Sequence, residues 1–262
     1  MKYTILLILA VTQIMASMIK APIVDIEGNF ATIKVDHIDV GVSGFVVHQI
    51  TPQNSAIVNS VTVVAYNTMT KTATLSLKPY KAISNKALSH AVWKPKKGDM
   101  VYLAFAYSRA LLIAPSENIY HKISKSVPVE WVHPDLFATM LSFAGHPTPL
   151  QSDFFDFANS ASVGLLFIYL DTKVYTVDIK SFKILDITDT PFIAKNKAKP
   201  FYTRVAHIDA AWWGAGSDEM QEYAPHYYEL LVKNNPKNQE LYEIVKNHKN
   251  LADLADEFEI GK

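Results

Sequence analysis

The chain has 262 residues, 49% of them hydrophobic and 19% charged, which excludes a disordered polypeptide and is enough to bury one sizeable core or two modest ones. Lys plus Arg and Asp plus Glu both number 25, so no net field is available to hold a polyanion. Only Arg109 and Arg204 carry the guanidinium fork that nucleic-acid recognition leans on, and the absence of cysteine excludes disulfides, thiolate metal sites and a catalytic thiol.

Lys2 precedes an apolar stretch over Tyr3 to Ile14, and Met15-Ala16-Ser17 offers small residues where a signal peptidase cuts. Residues 1–17 therefore read as a signal peptide, too short for a membrane anchor, and no transmembrane span is expected after cleavage. From residue 18 to 106, short runs rich in Val, Ile, Thr and aromatics alternate with turn chemistry such as Glu27-Gly28-Asn29, Pro52-Gln53-Asn54 and Lys96-Lys97-Gly98-Asp99. Six strands are predicted, near 23–26, 30–35, 44–50, 56–66, 72–77 and 100–106, and their spacing indicates a small β-barrel or sandwich. The stretch 78–95 reads as a loop or short helix crossing that domain.

Residues 107–213 read as a compact α/β domain. Strands are expected at 109–114, 129–132, 163–170, 173–179, 182–187 and 201–208. One helix opens after Ser116, and a second runs from Asp135 to Phe143 between Pro134 and Gly145, with Leu136, Met140 and Phe143 at i, i+4 and i+7. A third is capped by Ser152-Asp153. Residues 214–262 read as a helical C-terminal extension, with a helix after Ser217-Asp218-Glu219 containing Pro225, another starting at Pro236, and a helical tail over 250–258. The expected class is α+β, mainly β.

His133 and His146 flank one helix and, with His121, come nearest to a metal signature. They stand 13 residues apart, and each is followed by proline, whereas a helical zinc site wants histidines at i and i+4. Structural use is the better reading, with no metal and no cofactor expected. A metal-dependent hydrolase built on His133, Asp135 and His146 is the weakest alternative. Gly41-x-x-Gly44 lacks the Lys-Ser/Thr pair of a phosphate loop, and Asp36, Asp39, Asp153 and Asp156 fit caps and solvated faces. Trp131, Tyr202, Trp212, Trp213, Tyr223, Tyr227 and Tyr228 read as core. The final Lys262 places an ammonium and a carboxylate one side-chain length apart, a pair that a lysine-binding pocket can clamp at both ends.

The strings Tyr107-Ser-Arg-Ala-Leu-Leu-Ile-Ala-Pro115, His133-Pro-Asp-Leu-Phe137, Gly145-His-Pro-Thr-Pro-Leu150, Val163-Gly-Leu-Leu166, Ser181-Phe182 and Phe201-Tyr-Thr-Arg204 resemble the N-terminal domain family of bacterial plasminogen-binding surface proteins, over roughly residues 22–213. The resemblance implies a non-catalytic protein exported to the periplasm or cell surface that binds host plasminogen. Lys262 would be offered to kringle lysine-binding sites, helped by Lys246 and Lys249. Arg109, His133, Asp135, His146 and Arg204 would be motif residues of structural use. The alternative is a periplasmic structural or assembly factor whose partner is another envelope protein.

Overall fold

The computed structural model describes residues 18–80, 93–195 and 197–260. The expected leader over 1–17, most of the 78–95 connection, and Lys262 lie outside the described residues. The fold is α+β and mainly β, and it divides into two compact units, 18–107 and 108–260.

The first unit is a closed barrel of six antiparallel strands: β1 (Ile19–Glu27), β2 (Phe30–Lys34), β3 (Ser43–Thr51), β4 (Asn54–Asn67), β5 (Thr72–Pro79) and β6 (Met100–Leu103), in the order β1-β2-β5-β4-β3-β6. Strand β6 closes it by pairing with both β1 and β3. Alternation at period two fills the interior, since Ala31 and Ile33 from β2, Ala73 and Leu75 from β5, and Val101 and Leu103 from β6 are all buried. Closure leaves no sheet edge to pair with another chain. Two glycines do different jobs near the start of β3. Gly41 takes a φ of 101° in the preceding turn, whereas Gly44 lies within the strand, where β3 and β6 approach so closely that a Cβ would stand 2.0 Å from the Tyr102 carbonyl oxygen.

The second unit is built on a five-stranded sheet of β7 (Arg109–Ile113), β8 (Glu130–Val132), β9 (Leu165–Leu170), β10 (Lys173–Asp178) and β11 (Ile184–Asp189), ordered β11-β10-β9-β7-β8. Strand β7 runs parallel to β8 and β9, and the remaining pairs are antiparallel. Every residue of β9 is buried, the pattern of a strand covered on both faces. Helix α1 (Glu117–Ser126) crosses from β7 to β8, and the Ser116 hydroxyl caps it by accepting from the Ile119 N–H. Helices α2 (Pro134–Ala144) and α3 (Gln151–Ala161) follow, α2 ending on Gly145 in the left-handed conformation at φ 74°.

Helix α2 does not bury the stripe that its sequence suggests. Phe137, Ala138 and Leu141 face the core, whereas Leu136 is 58% exposed and Phe143 90% exposed. Both stripes have helical spacing, and the choice falls to Phe137, whose ring meets Phe154, Phe157 and Phe201 at centroid distances of 4.7, 5.1 and 5.5 Å.

The 201–208 segment forms no strand, contrary to expectation. The Tyr202 N–H donates to the Ala114 carbonyl just past β7, but the Arg204 N–H goes to the Asp135 carboxylate, so it is spent on a side chain in place of a ladder. Helix α4 (Tyr223–Asn234) starts later than Ser217, with Pro225 in its first turn, where a missing N–H leaves no intrahelical bond unmade. Helix α5 (Gln239–Lys246) starts after Asn238 rather than at Pro236, and the tail at Ala252–Glu257 is a 3₁₀ helix. Tyr223, Tyr227, Tyr228, Leu231, Leu241 and Val245 from these helices share one core with the sheet.

Candidate functional site

The family-motif residues fall into three separate hydrogen-bonded groups. His133 is the N-cap of α2, and its Nδ1 accepts from the Asp135 N–H at 3.2 Å. The Asp135 carboxylate is in turn saturated: Oδ1 accepts from the Thr203 hydroxyl and the Arg204 N–H, both at 2.8 Å, and Oδ2 accepts from Arg204 Nε at 2.6 Å. The Tyr120 ring lies against both His133 and Tyr202 in tilted contacts, at centroid distances of 5.3 and 5.6 Å. Burial alone would raise the Asp135 pKa, but the hydrogen bonds from Arg204 and Thr203 outweigh it and hold the carboxyl below its ordinary value. For His133, burial pushes the pKa down against the upward pull of Asp135.

His146 belongs to a different group. Its Nδ1 lies 2.8 Å from Asp153 Oδ1, and Asp153 Oδ2 accepts from the Leu150 N–H at 2.7 Å, so the string Gly145 to Leu150 is folded back onto the start of α3. Leu150 is the N-cap, with Asp153 in the first turn rather than at the cap itself. Arg109 anchors a third group, pairing with Glu130 at 3.0 Å and donating to the Ala161 carbonyl. The carboxylate partner of His146 is thus Asp153, not Asp135, and among the described residues no three His, Asp or Glu side chains are grouped to hold a metal. Every one of these contacts ends on the fold's own backbone or an adjoining side chain, which makes them devices for fixing loops.

A cleft of about 180 Å³ opens beside the 203–208 segment, between Pro147, Lys199, Thr203, His207, Glu219 and Met220. This is below the range of roughly 300–1,000 Å³ typical of small-molecule sites. Lys246, at the end of α5, and Lys249 are exposed, and the Lys246 ammonium sits 5.5 Å from the Tyr242 ring centroid. No helix among the described residues is long and apolar enough to cross a membrane.

The arrangement offers anchored loops and, at Lys246 and Lys249, exposed cations. The family described as plasminogen-binding protein pgbA N-terminal matches residues 18–231, across both units. The chain belongs to that family. Two plasminogen-binding proteins PgbA of Helicobacter pylori, from strains J99 and 26695, are 29% and 28% identical to it over 222 residues, or 82% of this chain. The match spans 47% of each of those relatives, so the chain covers about half their length. The PgbA N-terminal family therefore has, in this member, a barrel followed by an α/β unit whose motif strings build loop anchors.

Sequence reasoning missed two features of this PgbA-type unit. One is the Asp135–Arg204 clamp, whose partners stand 69 residues apart; both were singled out as motif residues, but nothing local to either string marks them as a pair. The other is His226 of α4, whose ring donates from Nε2 to the Pro149 carbonyl at 2.9 Å and whose pKa burial pushes down.

The pH dependence follows from these shifts. In the folded chain His226 takes up a proton only below its ordinary value of 6.5, whereas the unfolded chain takes one up at about that value. Its stabilising share is full above pH 6.5 and is lost as pH falls toward the lower folded pKa, at up to about 1.4 kcal/mol per pH unit. Asp135, also depressed, keeps its share above 3.8 and loses it as pH falls further. Urea unfolding is expected to be flat between pH 7 and 8 and to weaken below 6.5, and His226→Gln should flatten the upper part of that decline.

Proposed function

We propose that this chain is an exported, non-catalytic binding protein that captures plasminogen through lysine. Lys262, read as a C-terminal lysine, is the principal ligand of kringle lysine-binding sites, and Lys246 and Lys249 are auxiliary contacts. The observation that supports this is membership of a family whose curated members carry the name plasminogen-binding protein. The barrel (18–106) and the α/β domain (107–213) serve as the scaffold, with 214–262 supplying the lysines. Arg109, His133, Asp135, His146 and Arg204 are positioning residues rather than contacts with the partner. Export is driven by residues 1–17, which leaves a mature protein starting near Ser17 or Met18 at the periplasm or cell surface.

A terminal lysine presents a cation and a carboxylate to a pocket of opposite polarity, so charge-assisted hydrogen bonds form at both ends. Such a ligand has few atoms and limited free energy, which sets about micromolar affinity for one lysine acting alone. Surface plasmon resonance of the purified protein on immobilised plasminogen tests this. Micromolar binding abolished by a free lysine analogue is expected. Absence of binding, or binding insensitive to the analogue, would replace plasminogen with another envelope protein as the partner.

A further inference from the structure

The loop between 209 and 218 is held firmly at both feet and is apolar at its tip. At one foot the Asp209 N–H donates to Ser142 Oγ at 3.0 Å, and the Ala211 N–H donates to the Gly145 carbonyl at 2.9 Å. At the other, the Gly216 carbonyl accepts from the Thr148 N–H at 3.1 Å, and the Thr148 hydroxyl donates to the Asp218 carbonyl at 2.6 Å. The first foot is pressed so close to the end of α2 that a Cβ on Gly145 would meet the Ala211 backbone at 2.5 Å. What this base presents is Trp212 at 98% exposure and Trp213 at 82%.

Large aromatics left in water on a tethered loop call for a cover. The two indoles bury about 300–500 Å² together, at 150–250 Å² each, short of the roughly 800 Å² per partner that a stable dimer needs. The tip is also open, since a Cβ on Gly214 would meet nothing within 4 Å. A bilayer interface needs no shape complementarity and sets no minimum area of the kind a dimer does, and indoles favour the headgroup level. Residues 210–216 carry no charge to dehydrate, and the flanking charges, Asp209 and Asp218, are acidic, so anionic lipid gains nothing over neutral lipid.

We propose that the Trp212-Trp213 loop is an interfacial anchor that inserts both indoles into the headgroup region of a zwitterionic phospholipid bilayer. This is independent of the plasminogen reading, because no lysine takes part. Co-sedimentation of the full chain with phosphatidylcholine vesicles, and quenching of its tryptophan emission by brominated phosphatidylcholine, test it. None of the tryptophans, at 93, 131, 212 and 213, lies in the N-terminal apolar stretch, so quenching reports on the folded units. Binding unaffected by 0.5 M salt is expected, falling at least tenfold in the double variant Trp212→Ala, Trp213→Ala, whose circular dichroism should match the parent's because both side chains are exposed. Equal quenching in the double variant, no vesicle binding at all, or a self-association seen by sedimentation velocity that the double variant abolishes would overturn the anchor.

Discussion

Replacing Phe137 with alanine is expected to lower the stability of the 108–260 unit by about 3–5 kcal/mol, the range for removing a fully buried aromatic ring. The ring is wholly buried and contacts three other phenylalanines drawn from α3 and the 201 segment, so no neighbour can move in without leaving its own rotamer. A loss of less than about 1 kcal/mol in the free energy of urea unfolding would mean that this core is not the one described. The consequence reaches the surface, because Phe137 holds α2, and α2 carries both His133 at its start and the Gly145 contact at its end.

The second large effect concerns the barrel. In Gly44→Ala the added methyl would stand 2.0 Å from the Tyr102 oxygen, 2.9 Å from its carbonyl carbon and 3.0 Å from the Leu103 Cα. All three are backbone atoms of β6, the strand that closes the barrel, so relief requires parting β3 from β6. The cost should be about 3 kcal/mol, the upper end for inserting a methyl into packed structure, with loss of amide protection along β3 and β6. An unchanged melting temperature with intact protection would refute the close approach.

How far these features were legible depends on the kind of signal. The six barrel strands could be read because Val, Ile and Thr alternate between Gly- and Asn-bearing turns, and the Ser116 cap was visible because a hydroxyl stands just before an amphipathic run. Gly44 had no local mark to tell a close approach from a turn, because the obstacle lies 58 residues further on at Tyr102. The aromatics of the C-terminal half split for a similar reason. Tyr223, Tyr227 and Tyr228 sit on α4 and bury their rings, with the Tyr223 hydroxyl 3.0 Å from the Tyr169 carbonyl and the Tyr227 hydroxyl 2.9 Å from the Pro200 carbonyl. Trp212 and Trp213 have the same apolar character but stand on a loop whose feet are fixed by hydrogen bonds, which leaves the indoles outside. Periodicity reports which residues can face a core, and the tethers decide which of them do.

The proposed function rests on lysine, and removal of Lys262 tests it most directly. Intact mass of the protein recovered from cells first establishes where the mature chain starts and ends. Plasminogen binding is then compared for that protein, for a Lys262 deletion, and for Lys246→Ala combined with Lys249→Ala. At least a tenfold loss on deletion, with a smaller loss for the two internal changes, is the predicted result. Equal binding by the full-length and Lys262-deleted proteins would contradict it.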